Sequence, residues 1–294
     1  MSSINISVAM ATYNGEKYIR QQLESILNQS MIVDEIIVVD DNSNDRTIEI
    51  IEELNCPQIY IFKNVKNFGY IENFYRAISL THGKYVFLAD QDDIWEKEKV
   101  KLTLAELQKS DRNMAVCTGF SLIDQNENPI TDIDHYQVND FVLQKHKDVE
   151  ELTLKRLAFG NVVQGCTYCV RRDAIDVYLR VHNNEVIHDY QLMLISAAMG
   201  KVKYLNKPLI RYRLHGNNAV GFEKKKHRLE MPRKKPSREP YMARFFRQLS
   251  EEIIVPHKNY YMVLYYLCSG LDVDLGVVRN HIEILRMYAG DQIP

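Results

Sequence analysis

The 294-residue sequence predicts an α/β fold: a doubly wound, mostly parallel, Rossmann-like sheet followed by a C-terminal helical appendage. Three observations carry that prediction. Apolar runs and amphipathic stretches alternate four times before Trp95, the pattern of βαβ units and not of hairpins. The runs Ile36-Ile37-Val38-Val39 and Tyr85-Val86-Phe87-Leu88 are continuously apolar, as strands covered on both faces are. Polar and acidic residues cluster just after those runs, where open α/β sheets bind ligands.

In order along the chain, residues 4–12 read as a strand ending in Thr12-Tyr13-Asn14-Gly15-Glu16, with Asn-Gly marking a turn. Ile19, Leu23, Ile26 and Leu27 fall at helical spacing. The second strand runs into Asp40-Asp41-Asn42-Ser43-Asn44-Asp45, where Ser43 to Asp45 offer capping oxygens for a helix reaching Leu54. A third strand, Gln58 to Phe62, leads through Asn67-Phe68-Gly69 to a helix over 70–80. The fourth strand runs into Asp90-Gln91-Asp92-Asp93. A helix over 96–109 and a strand over 114–123 follow, then a polar loop to Asp140, a helix over 150–159 and a strand over 161–171. Another helix is expected after His188-Asp189, and another strand over 201–205.

Composition narrows the class. With 46% hydrophobic residues the chain can build a substantial core. The net charge of −2 hides a basic run, Lys224 to Arg238, with eight Lys/Arg against one acid. Five scattered cysteines suit a reducing compartment better than a disulfide framework. Cys166-x-x-Cys169 has no second Cys or Cys-His pair to make a zinc site, and reads as packing. The N-terminal apolar run is too short for a signal peptide core, and Tyr260 to Leu271 falls short of the roughly 20 residues a spanning helix needs. The expectation is a cytoplasmic protein, soluble or peripheral on the inner face of the plasma membrane.

In a parallel sheet the ends of strands one, two and four share one crevice. An aromatic face at Tyr13 and a carboxylate able to accept an N–H suit a uracil or thymine ring. Asp90 and Asp92, one residue apart, can share one target, and paired hard oxygens suit Mg²⁺ or Mn²⁺ held jointly with phosphates. The plainer alternative is a solvated loop in which Asp93 caps the next helix. Neither Gly-x-Gly-x-x-Gly nor Gly-Lys-Ser/Thr follows the first strand, which disfavours dinucleotide and P-loop chemistry.

Ala11-Thr12-Tyr13-Asn14, Val38-Val39-Asp40-Asp41-Asn42-Ser43-x-Asp45-x-Thr47, Asn67-x-Gly69 and Leu88-Ala89-Asp90-x-Asp92-Asp93-x-Trp95 together resemble family 2 glycosyltransferases of the GT-A fold, over roughly residues 4–220. The resemblance implies that Tyr13 stacks on the base and Asp41 binds its ring N–H. It puts Asp90 near ribose and metal, with Asp92 ligating the metal. Thr12, Asn14, Glu16, Asn67 and Gly69 join the nucleotide side, although Glu16 reads equally as a first-turn helix charge and Asn67 and Gly69 as turn formers.

Asp189, after His188, can be read as a helix cap or, by the resemblance, as the catalytic base of an inverting transfer. Such a displacement needs a carboxylate to take the acceptor hydroxyl's proton. His188 then orients or lines. The run Arg211-x-Arg213-x-His215-Gly216-x-Asn218 resembles a segment closing over donor diphosphate in bacterial members, including rhamnosyltransferases. It makes His215 a metal ligand and Arg211 and Arg213 diphosphate or acceptor contacts. No Gln-x-x-Arg-Trp follows, so one sugar per encounter is expected.

The expected organisation is a glycosyltransferase domain over 1–222, with a nucleotide-binding half to about 110 and an acceptor-side half from 111. A basic linker over 223–240 and helices over 241–294 come after it. The linker and the Tyr-rich helices suit an anionic membrane surface, or packing on the sheet or on a second subunit as a homodimer. No nucleic-acid reader motif is present. The expected donor is dTDP-rhamnose or a UDP-hexose, and the expected acceptor a lipid-linked glycan of a bacterial surface polysaccharide. Two other readings stay open. A nucleotidyltransferase would bring a Gly-rich basic loop after the first strand, and a non-catalytic scaffold would show no metal-stimulated nucleotide binding.

Overall fold

The four apolar runs that end at Asp90 become strands of one sheet. In the computed structural model, β1 (Ile6–Thr12), β2 (Glu35–Asp40), β3 (Ile59–Lys63) and β4 (Tyr85–Ala89) lie parallel in the order β3-β2-β1-β4. The structure describes residues 5–131, 147–153, 157, 161, 163–215, 245 and 248–249. The chain divides into two units. Met1–Leu179 with Ile187–Phe222 carries the sheet, and Arg180–Val186 with Glu223–Pro294 forms the other.

Helices α1 (Ile19–Leu27), α2 (Thr47–Glu53) and α3 (Tyr70–Ser79) make the crossovers. Val8, Met10, Ile36, Val38 and Phe87 form one buried cluster with Ile19, Leu23 and Ile26 of α1. Ala9, Ile37, Val39 and Leu88, of the opposite parity, are buried as well, as are Phe74, Ala77 and Ile78 of α3. Both faces are thus covered, which is why these strands lack polar alternation. The register sets Thr12 beside Asp40 and Met10 beside Ala89, so Thr12, Asp40 and Asp90 reach the same sheet edge.

The second half extends the sheet. It adds β5 (Ile94–Trp95), α4 (Lys99–Leu107), β6 (Asn113–Ile123), β7 (Val149–Leu152) and β8 (Cys169–Arg171). Helix α5 (Arg172–Val181), helix α6 (His188–Met199) and strand β9 (Lys201–Arg213) complete it. The order continues β4-β8-β6-β9-β5, with β7 also on β9. The long β6–β9 ladder is parallel, while the ladders of β8, β7 and β5 are short and antiparallel. The sheet is mostly parallel, as expected.

Four local expectations are corrected. Residues 149–152 form a strand where a helix from Glu150 was expected. Glu150 and Leu152 turn inward, and Glu151 pairs across the strands with Lys201 at 2.9 Å and Lys203 at 2.8 Å. Cross-strand charge pairing overrides helix propensity there. The expected strand over 161–171 is a strand only from Cys169, and Gly165–Thr167 is a 3₁₀ turn. Asp93 caps no helix: β5 follows it, and α4 starts at Lys99. The strand expected to end at 205 runs on to Arg213 as β9, carrying Pro208 opposite Gly119, where the ladder shifts register and a missing N–H is tolerated.

Most of the polar loop to Asp140, most of 153–159, the basic run 224–238 and, apart from positions 245, 248 and 249, the stretch 241–294 where helices were expected lie outside the described residues. Among the described residues, no helix is long and apolar enough to cross a membrane.

Candidate active site

The loops after β1 and β2 are laced to each other by hydrogen bonds. Asp41 N–H donates to Thr12 O at 2.8 Å. Asn14 N–H donates to Ser43 Oγ at 2.9 Å, and Asn44 N–H returns to Asn14 Oδ1 at 3.0 Å. Gly15 N–H donates to Thr47 Oγ1 at 2.7 Å. Glu16 spends its carboxylate on Arg46 N–H at 3.0 Å, ahead of α2. Asp40 accepts from Ser43, and Asp45 accepts Thr47 N–H at 3.0 Å. Asn14 holds φ +48, a left-handed turn that asparagine tolerates. Tyr13 is left 44% exposed.

Asp41 is 2% exposed and binds the next loop. Its Oδ1 accepts Asn64 Nδ2 at 2.7 Å and Phe68 N–H at 2.9 Å, and its Oδ2 accepts Gly69 N–H at 2.8 Å. Asn67 Oδ1 also accepts Gly69 N–H, at 3.0 Å. Gly69 sits at φ +87, where a side chain would be strained, which explains glycine at the entry to α3. Asn67 and Gly69 therefore build a turn, and Asp41 keeps Oδ2 as its less engaged oxygen.

The acid loop is braced from both sides. Gln91, between Asp90 and Asp92, accepts from Thr12 Oγ1 and from Tyr13 N–H at 2.9 Å, and donates to Tyr13 O at 3.1 Å. A Cβ on Gly15 would stand 2.3 Å from Gln91 Oε1, so glycine is required for this approach. Gln22 Nε2 donates to Asp90 O at 2.8 Å. From the other side, Arg213 N–H donates to Asp93 Oδ1 at 3.1 Å, and its guanidinium donates to Asp92 O at 2.9 Å and Gln21 Oε1 at 2.6 Å while lying over the Tyr18 ring. His215 Nε2 stands 2.7 Å from Asp92 Oδ2.

Crowded carboxylates leave an electrostatic mark. Burial, then Asp92, then Asp189 push the Asp90 carboxyl up to about 7. Asp93 is raised well above its usual range by burial, then by Asp92 and Asp90. Such crowding is what a divalent cation would relieve. Asp90, Asp93 and Cys166 bring one candidate ligand atom each within 4.8 Å of one another. The Cys166 thiol is pushed well up, mainly by burial, which makes it a poor partner for a hard ion beside carboxylates. The Asp90 and Asp92 oxygens with the His215 nitrogen suit Mg²⁺ or Mn²⁺ better.

Asp189 is the second residue of α6, not its cap, and is 4% exposed. Burial raises its carboxyl to about 6, against hydrogen bonds from the Asn161 side chain and the Tyr190 and Gly165 N–H groups. A Cβ on Gly165 would meet Asp189 Cβ at 2.9 Å and Oδ2 at 3.0 Å. The 3₁₀ turn that includes Gly165 is backed by Lys99, fully buried, with Nζ 3.4 Å from both Cys166 O and Thr167 O. Burial lowers the Lys99 ammonium to about 8. His188 stacks on Phe74 with ring centroids 3.9 Å apart, joining α6 to α3.

The structure thus gathers Thr12, Tyr13, Asn14, Asp41, Asp90, Asp92 and His215 around one sheet edge, and Asp189 is close enough to shift Asp90. Arg211 goes elsewhere: it pairs with Glu96 at 3.1 Å on the β5–β9 ladder. Arg213 is 1% exposed and acts as a brace beneath the acid loop, so its fork is not presented to a diphosphate. Gln91, Lys99, Asn161 and Gly165 were not singled out for the site in the sequence. Only Gly165, a glycine in an apolar run, gave a signal.

Known proteins resemble this chain in sequence and in fold. The family model for glycosyl transferase family 2 matches residues 7–179. The dTDP-rhamnosyl transferase RfbG of Shigella flexneri is 31% identical over 245 residues, covering 77% of this chain and 80% of that protein. The putative teichuronic acid biosynthesis glycosyltransferase TuaG of Bacillus subtilis is 29% identical over 224 residues, covering 74% and 82%. Among solved structures, residues 1–349 of S. aureus TarS in complex with UDP align with TM-score 0.59 at 18% identity, covering 96% of this chain and 79% of that one. Its complex with UDP-GlcNAc covers 97% and 80% at the same TM-score. The fold is that of a GT-A glycosyltransferase. The chain belongs to glycosyl transferase family 2.

Proposed function

We propose that this enzyme is an inverting, metal-dependent transferase that moves one sugar from dTDP-rhamnose or a UDP-hexose to a glycan acceptor, lipid-linked, in bacterial surface polysaccharide synthesis. The carrying observation is that Asp189, a carboxylate buried at the head of α6, packs against Gly165, whose neighbour Cys166 brings its Sγ within 4.8 Å of an Asp90 carboxylate oxygen. A base and an acid-rich donor loop facing one space is what single displacement needs. The names of RfbG and TuaG, and UDP in TarS, support the donor and acceptor classes.

In this reading residues to about 110 hold the donor, with Tyr13 under the base and Thr12, Asn14 and Asp41 around it. Asp90, Asp92 and His215 would hold Mg²⁺ or Mn²⁺, which would supply neutralisation of charge on the departing diphosphate. Asp189 accepts the proton of the acceptor hydroxyl as its oxygen bonds to the anomeric carbon. The bond from that carbon to the phosphate oxygen breaks on the opposite face, and its electron pair leaves with the nucleoside diphosphate. Gly165 and Asn161 aim the carboxylate. Work at the inner face of the plasma membrane, through the basic run 224–238 and the helices beyond it, fits a lipid-linked acceptor.

A thermal-shift screen of UDP- and dTDP-sugars with and without Mn²⁺ tests this reading. A bound donor at about a hundred times its Kd should stabilise by roughly 2.7 kcal/mol. The shift should need Mn²⁺ and vanish in Asp92→Asn. No metal-stimulated nucleotide binding would favour a scaffold role instead.

A further inference from the structure

We propose that Tyr70 is the platform of an acceptor subsite, taking one saccharide ring against its face so that a hydroxyl of that ring meets Asp189. This rests on the reading of Asp189 as base. Tyr70 is the first residue of α3 and is 41% exposed. Four residues on, on the same face of the helix, Phe74 stacks on His188, the neighbour of Asp189. The start of α3 therefore leads to the start of α6. Burial, and then the Asp189 charge, raise the Tyr70 phenol above its ordinary range, in keeping with the packing of α3 on the start of α6.

The platform is held in place. Asp41 fixes the N–H groups of Phe68 and Gly69, directly before Tyr70. Asn73 Nδ2 donates to Val39 O at 2.9 Å, tying the first turn of α3 to β2. A tyrosine offers an apolar face and a polar tip. A saccharide ring can lay its C–H face on the apolar face and a hydroxyl on the tip, and a carboxylate nearby can take the proton of another hydroxyl. In this reading Tyr13, on the loop after β1, serves the donor side and Tyr70 the acceptor side.

The test compares sugar transfer to a panel of p-nitrophenyl hexosides with donor hydrolysis by water, at saturating donor and Mn²⁺. In wild type at least one glycoside should compete with water. Tyr70→Ala should lower the transfer-to-hydrolysis ratio by about tenfold, with donor KM unchanged, and Tyr70→Phe should restore the ratio. An unchanged ratio in Tyr70→Ala, a raised donor KM, or no competing glycoside in wild type would overturn the subsite. Asp189→Asn run alongside separates the two readings. Loss of transfer there with an unchanged Tyr70→Ala ratio sinks the subsite alone, and full transfer there sinks the base.

Discussion

Replacing Asp189 with asparagine should make the metal-free protein more stable at neutral pH while removing its activity. The carboxyl rises from 3.8 to about 6 because burial penalises its charge. A carboxyl whose value is higher in the fold than in the unfolded chain contributes stability below the unfolded value. That contribution is lost as pH climbs through about 6. The rise corresponds to roughly 3 kcal/mol of penalty on the ionised native state. Asparagine carries no such penalty, but it accepts less well from Gly165, Tyr190 and Asn161, at a cost of about 1 kcal/mol. The net gain above pH 7 is therefore about 2 kcal/mol, or roughly 5 °C in Tm. Melting curves of both proteins in EDTA from pH 4.5 to 8 should diverge as pH rises. Parallel curves, or a variant less stable at pH 7.5, would refute the buried-charge argument. Transfer by the wild type should rise with pH through about 6, as its base ionises.

Two further substitutions probe the geometry. Gly165→Ala pushes a methyl to 2.9 Å from Asp189 Cβ, and misplacing the base should lower kcat by about a hundredfold while calorimetric UDP affinity stays put. Gln91→Ala removes the two hydrogen bonds that set the Tyr13 backbone and the one from the Thr12 hydroxyl, and should raise donor KM by about tenfold with a smaller change in kcat.

What could be read from the sequence follows the range of its signals. The parallel half was legible because strands buried on both faces leave continuous apolar runs, and the acids after them mark the crevice. The 149–152 strand was not, because its stability comes from Lys201 and Lys203, some fifty residues away. Arg213 illustrates the same limit within the site. Its position beside the His215 segment suggested a phosphate contact, yet its burial and its bond to Asp92 O make it a support. Gln91 went unnoticed because a glutamine between two aspartates carries no periodicity, and its role exists only once β1 and β4 are neighbours.

The lacing between the loops after β1 and β2 has a kinetic consequence. Asn14, Ser43, Asn44, Gly15 and Thr47 already spend their hydrogen bonds on one another, so the proposed nucleotide cleft is preorganised and its ordering entropy is settled at folding. Nucleotide capture should then be a single second-order step, with a stopped-flow rate for mant-UDP that rises linearly with concentration. A plateau would instead report a slow rearrangement that this lattice of bonds argues against.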